Sequence, residues 1–140
     1  MNVKRVLSKI DFSLSKEEWN YLKIETAKIV SLLKEGILRE KVKAEVFVGG
    51  SFAKKTMIKG EKLDVDIFVK FDWKYEDLSF LLEKILKNIK KNKRIDYKKV
   101  HGSRDYFQIN EGKITFEVIP VLKISNPRNP TLFLFKTTID

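Results

Sequence analysis

The sequence predicts an α+β domain, a mixed β-sheet backed by two main helices. Three observations predict it. Two long stretches, residues 15–34 and 75–91, repeat apolar residues at helical spacing. Five shorter stretches alternate along their length or are rich in β-branched and aromatic residues, as strands are. The whole is 140 residues with 43% hydrophobic and 11% aromatic content, enough core for one domain and too short for two.

In chain order, Ser15-Lys16-Glu17-Glu18 is a capping box that starts the first helix. Trp19, Leu22, Thr26, Ile29, Val30 and Leu33 then form its inward stripe, and Gly36 reads as its stop. Residues 42–48 alternate as a strand that ends at Gly49-Gly50. Residues 51–59 allow a helical turn, and Gly60-Glu61-Lys62 a tight turn into a second strand, residues 64–71. The second helix faces Leu78, Leu81, Leu82, Ile85, Leu86 and Ile89 inward. Three strands follow, residues 95–100, 106–110 and 113–124, with Glu111-Gly112 as the hairpin turn between the last two. Asn126-Pro127-Arg128-Asn129-Pro130 breaks regular structure before an apolar run, Leu132-Phe133-Leu134-Phe135. That run is too apolar to be left in water, so it is expected to pack as a strand or to cover a surface between molecules, a dimer contact among them.

Composition excludes several classes. No run of about 18 apolar residues exists, so no membrane helix is expected. The first 13 residues are basic but lack the apolar segment of a secretory signal, and a cytoplasmic protein is expected. With no cysteine there is no disulfide, thiolate zinc site or cysteine nucleophile, and a single histidine leaves little for a histidine relay. The net charge is +10, of which residues 84–104 carry +8: seven Lys and two Arg against Asp96. Lys84, Lys87, Lys90 and Lys91 form one stripe on the outer side of the second helix, and Arg94, Lys98, Lys99 and Arg104 extend the cluster. Such a cluster suits a phosphate-rich partner, RNA first, or else is a solvated lysine-rich face. Tyr97, Tyr106 and Phe107 interleave with it and could stack on bases, although sheet packing is the commoner use of such residues.

The chemistry lies in Gly49-Gly50-Ser51-Phe52-Ala53-Lys54-Lys55-Thr56 and the Asp64-Val65-Asp66 that follows. Acids at i and i+2 of a strand share one face and repel each other unless a cation joins them. Hard oxygen ligands at that spacing suit Mg²⁺, which takes its remaining ligands from water and substrate phosphates. A Gly-Gly-Ser turn lets backbone N–H groups and the Ser51 hydroxyl approach a triphosphate, and Lys54 and Lys55 can neutralise it. Glu117, an acid inside the apolar Ile114-Thr115-Phe116-Glu117-Val118-Ile119-Pro120, is the candidate third carboxylate of a two-metal site. The alternatives are a solvated strand edge for the aspartates and an ion pair with a lysine for Glu117.

Gly-Ser-x-Ala-x-x-Thr, a Gly-Glu-Lys turn, Asp-x-Asp and a later lone acid in a strand ending Val-Ile-Pro resemble the class I nucleotidyltransferases of the DNA polymerase β superfamily. The nearest likeness is to the catalytic head of archaeal-type CCA-adding enzymes, and it covers roughly residues 45–121. The resemblance implies the nucleotidyltransferase (polymerase β-like) fold. It implies that Asp64, Asp66 and Glu117 hold two Mg²⁺ ions, with Mn²⁺ as a substitute, and carry catalysis. Gly50, Ser51, Lys54 and Thr56 would bind the nucleotide, ATP or CTP. The implied reaction is template-independent transfer of a nucleotide from an NTP to an RNA 3′-hydroxyl, tRNA-like, with release of pyrophosphate. Two other uses of such a domain stay open: adenylylation of a partner protein, as in small antitoxins, and binding of nucleotide or RNA without catalysis. Residues 1–140 read as one catalytic domain, the head alone, without the neck and RNA-selecting domains of CCA-adding enzymes. A head alone has few contacts to base edges, so loose base choice is expected.

Overall fold

A computed structural model describes residues 14–49, 63–93 and 95–123. Helix α1 spans Lys16–Arg39, strand β1 Ala44–Val48, strand β2 Leu63–Phe71, helix α2 Leu78–Lys93, and strands β3, β4 and β5 Lys98–Val100, Tyr106–Glu111 and Ile114–Leu122. The strands form one mixed sheet in the order β1-β2-β5-β4-β3. All neighbours are antiparallel except β2 and β5, which run parallel.

The capping box is present: the Ser15 hydroxyl accepts from the Glu18 N–H and the Glu18 carboxylate from the Ser15 N–H, both at 3.1 Å. Gly36 does not stop the helix. It is buried within α1, and a Cβ there would stand 2.9 Å from Ile85 Cγ2, so α2 packs close against α1 at this residue. The helix ends at Arg39, and Lys41 just beyond it holds the left-handed conformation at φ 53°. There the Val42 N–H donates to the Ile37 carbonyl and the Lys41 N–H to the Leu38 carbonyl, a Schellman closure made without glycine.

Helix α2 starts three residues later than the apolar spacing suggests. Asp77 caps it by accepting from the Phe80 N–H at 3.1 Å, and the Tyr75 hydroxyl instead holds the Lys43 N–H at 3.0 Å. Strand β3 is shorter than expected, three residues long. The β4–β5 turn falls at Gly112-Lys113, where Gly112 takes φ 59°, one residue beyond the expected position. Both helices cover one face of the sheet. Leu22, Ile29, Leu33, Leu82, Ile85 and Leu86 pack there on Val65, Ile67, Val69, Phe71, Phe107, Phe116 and Val118. The other face carries no helix among the described residues, and on β2 it presents Asp64 and Asp66. No helix among the described residues is long and apolar enough to cross a membrane.

Candidate active site

Strand alternation places the acids. Leu63, Val65, Ile67, Val69 and Phe71 are buried under the helices, so Asp64 and Asp66 point out of the opposite, open face. Across the parallel β2–β5 pair, Asp66 stands beside Glu117 and Asp64 beside Thr115. Directly paired residues share a face, so all three acids expected from the sequence lie together on the open side. Glu117 is half-buried, and burial is the main cause that holds its carboxyl above the usual carboxylate range. The Asp66 charge beside it, a hydrogen bond to Asp66, and the charge of Asp64 push the same way. Three like groups crowded at a partly dry position are a site short of positive charge.

As the side chains stand, no three acidic or imidazole groups among the described residues converge into a finished cation cage. The donor chemistry nevertheless fits a divalent hard cation: carboxylate oxygens only, crowded enough to be relieved by one.

Gly49 is buried at the end of β1, and its N–H donates to the Asp66 carbonyl at 2.6 Å. A Cβ there would stand 2.9 Å from Asp66 Cβ and 3.0 Å from Asp66 O, so glycine alone permits this approach. The residue that precedes the segment expected to hold phosphate therefore lies against Asp66. Gly50, Ser51, Lys54 and Thr56 themselves lie outside the described residues, as do Arg94 and the apolar run Leu132-Phe133-Leu134-Phe135.

The basic cluster is divided between layers. Lys84, Lys87 and Lys91 are exposed on α2, behind the sheet, on the side opposite the acids. Lys99 alternates toward the helices and pairs with Glu83 at 3.6 Å and Asp105 at 3.8 Å, and Lys90 pairs with Asp96 at 3.0 Å. Lys98 points out of the open face, and Arg104 is half-buried in the β3–β4 connection. Charge density along a sequence does not tell which layer each lysine joins. Of the three aromatic residues among them, Phe107 is fully buried and Tyr97 packs edge-on against it at 5.9 Å. Tyr106 alone lies half-exposed on the open face. His101 pairs with Asp105 at 3.2 Å in the β3–β4 connection, a partner not visible from sequence.

Sequence reasoning also missed the residues beyond Glu117. Gln108 stands beside Glu117 on β4, and Lys98 beside Gln108 on β3, so one row reads Asp66, Glu117, Gln108, Lys98. The row below reads Asp64, Thr115, Asn110, where the Thr115 hydroxyl donates to Asn110 Oδ1 at 3.0 Å. A cleft of about 630 Å³ lined by Glu25, Ile29, Leu32, Ile95 and Glu111 lies against α1, and none of Asp64, Asp66 and Glu117 lines it.

Comparison with known proteins bears on the fold and the family. Forty-two per cent of 85 residues are identical to a CCA-adding enzyme of Nanoarchaeum equitans (strain Kin4-M), a match over 59% of this chain and 20% of that protein. The chain thus spans about a fifth of that relative's length. Among solved structures, Cid1, described as having RNA terminal uridylyl transferase activity, superposes with a TM-score of 0.61 at 12% identity, over 90% of this chain and 37% of its own. CdnC of E. coli MS115-1, in its complex with HORMA-deltaN, gives 0.62 at 15% identity, over 86% and 40%. At these identities the likeness is one of fold: two helices and a five-stranded mixed sheet of the polymerase β-like nucleotidyltransferase type. Residues 1–131 match the Second Messenger Oligonucleotide or Dinucleotide Synthetase domain, and the chain belongs to that family of nucleotidyltransferase domains.

Proposed function

We propose that this domain transfers a nucleotide from an NTP, ATP or CTP, to the 3′-hydroxyl of an RNA, tRNA-like, with release of pyrophosphate. The observation that carries the reading is the Asp66–Glu117 pairing on the open face, with Asp64 one step along the same strand. The identity shared with a CCA-adding enzyme supports RNA as the acceptor. Asp64, Asp66 and Glu117 would hold two Mg²⁺ ions, with Mn²⁺ as a substitute. When bound, the ions neutralise charge on the transferring phosphoryl group and acidify the acceptor hydroxyl.

The rest of the chemistry belongs to the chain. Gly50 and Ser51, which follow Gly49 in sequence, together with Lys54 and Thr56, hold the triphosphate. Glu117, beside Asp66 on the neighbouring strand, receives the proton of the acceptor hydroxyl. The acceptor oxygen bonds to the α-phosphorus, the bond from that phosphorus to the β-phosphate bridge breaks, and pyrophosphate leaves with the electron pair.

The family match favours a second reading, in which the acceptor is another nucleotide and the product a di- or oligonucleotide. One experiment separates the cases. The protein is incubated with Mg²⁺ and each α-labelled NTP in turn, with and without a tRNA-like RNA, and the label is followed. Label in lengthened RNA is the expected result, and incorporation of more than one base agrees with loose base choice. Label in a small nucleotide without RNA establishes the second reading, and label on protein establishes protein modification. No transfer from any NTP overturns both nucleotide readings.

A further inference from the structure

We infer that Gln108 and Lys98 form the acceptor side of the site, with the Gln108 amide reading the 2′-hydroxyl of the terminal ribonucleotide and Lys98 its phosphate. The inference rests on the reading that an RNA 3′ end is the acceptor.

The sheet order fixes the direction. Gly49 follows β1 and donates to the Asp66 carbonyl, so the segment expected to hold the triphosphate is joined in sequence to the sheet on the β1 side of Asp66. With the triphosphate assigned to that segment, the side of the acids left for the acceptor is that of β5, β4 and β3. On that side the open face offers two polar rows, and they differ. In the lower row Thr115 and Asn110 satisfy each other at 3.0 Å. In the upper row neither the Gln108 amide nor the Lys98 ammonium has a hydrogen-bond or ion-pair partner among the described residues. Neighbouring strands lie about 4.8 Å apart, so Gln108 is one strand spacing beyond Glu117 and Lys98 two, roughly 10 Å out.

That sequence of groups matches one ribonucleotide end. The 3′-hydroxyl belongs at the carboxylate that takes its proton. The 2′-hydroxyl is a hydrogen bond's length away on the same ribose, both donor and acceptor, as an amide is. The phosphodiester lies further along, where a cation is wanted. Tyr106, on the same face and two residues before Gln108, offers its half-exposed ring to the terminal base. The contrast with α2 follows: its lysine stripe lies behind the sheet and is not the path of the 3′ end.

The test uses two oligonucleotides of one sequence, one ending in a ribonucleotide and one in a 2′-deoxyribonucleotide with its 3′-hydroxyl intact. Affinity is read by fluorescence anisotropy in EDTA, and KM for each by single-nucleotide addition with Mg²⁺. The wild-type protein should favour the ribonucleotide end by roughly three- to tenfold, the range of one hydrogen bond. Gln108→Leu should bring that ratio close to one, through loss of affinity for the ribonucleotide end alone. Lys98→Gln should weaken both ends alike and reduce the slope of log affinity against log salt by about 0.7, one phosphate's share for a single strand. A wild-type ratio near one overturns the inference, whatever the catalytic result. So does a Gln108→Leu protein that melts as the wild type does and keeps the ratio. Failure to extend any RNA while RNA is bound with the expected ratio overturns the proposed reaction and leaves this binding row standing.

Discussion

Glu117 and Asp66 face each other across the parallel β2–β5 pair, with Asp64 adding its charge from one step away. A pair of like groups set side by side opposes folding, and a cation or a proton relieves it. Glu117→Gln and Asp66→Asn should therefore each stabilise the metal-free protein by up to about 1 kcal/mol, read in urea unfolding. The same changes, and Asp64→Ala, should lower nucleotide transfer by roughly a hundredfold or more, on the order of 3 kcal/mol of barrier. Transfer at wild-type rates by the Asp64→Ala, Asp66→Ala double variant would remove these residues from catalysis.

The contact of Gly49 with Asp66 admits no side chain. In Gly49→Ala the new methyl meets Asp66 Cβ and the Asp66 carbonyl, backbone and near-backbone atoms that cannot swing aside. A loss of about 1–3 kcal/mol is expected from the overpacking. Because the displaced residue is a candidate ligand, transfer should fall more steeply than stability does. A Gly49→Ala protein with unchanged melting and unchanged transfer would show that the strands can part there without cost.

Lys41 occupies a left-handed position that a side chain strains, within a helix closure otherwise complete. Lys41→Gly should raise stability by about 1 kcal/mol. The residue is exposed, so transfer should not change. Differential scanning calorimetry decides it, with a higher melting temperature as the expected result.

Two glycines show how much of the molecule was legible in advance. The sequence announces both helices, all five strands and the three acids, because each rests on local periodicity or on a residue type out of place in its surroundings. Gly36 looked like a helix stop because glycine is the usual one. Its actual use is to let Ile85 and Ile89 of another helix come close, and no local pattern carries that information. Gly49, read as part of a turn, is held by a strand whose partner register is set by the whole sheet. Gln108 was invisible for the same reason: a polar residue in an edge-side strand acquires meaning only once it is known to stand beside Glu117. The lysines of residues 84–104 were legible as a charge but not as a surface, since α2 and β3 send them to different faces.

Tyr97 supplies a pH dependence of its own. Its hydroxyl donates to Glu83 at 3.2 Å, and its ionisation is pushed up to about 12, by burial first and then by the charge and hydrogen bond of Glu83 and the charge of Asp96. The unfolded tyrosine ionises near pH 10. The contribution of Tyr97 to stability is therefore complete below about pH 10 and is lost as pH rises through about 12. Tyrosinate absorbance should show a late component near pH 12 that Tyr97→Phe removes and Glu83→Gln moves to lower pH. Should Tyr97→Phe leave the absorbance above pH 11 unaltered, the hydroxyl is not held as described.

Strand β5 is the last of the five in the chain, yet it is the middle of the sheet. Until it docks, β2 presents a bare hydrogen-bonding edge beside Val65, Ile67, Val69 and Phe71, and β3 and β4 have no sheet to join. Closing a parallel pair across an intervening helix and two strands is a slow, non-local step. During synthesis or refolding the chain therefore passes through an interval in which an apolar strand edge is open to other copies of itself. Recovery of folded protein should accordingly fall as the chain is refolded at higher concentration. Glu117 arrives with the same strand that ends this interval, so no partly assembled form of the domain can carry the complete acidic row.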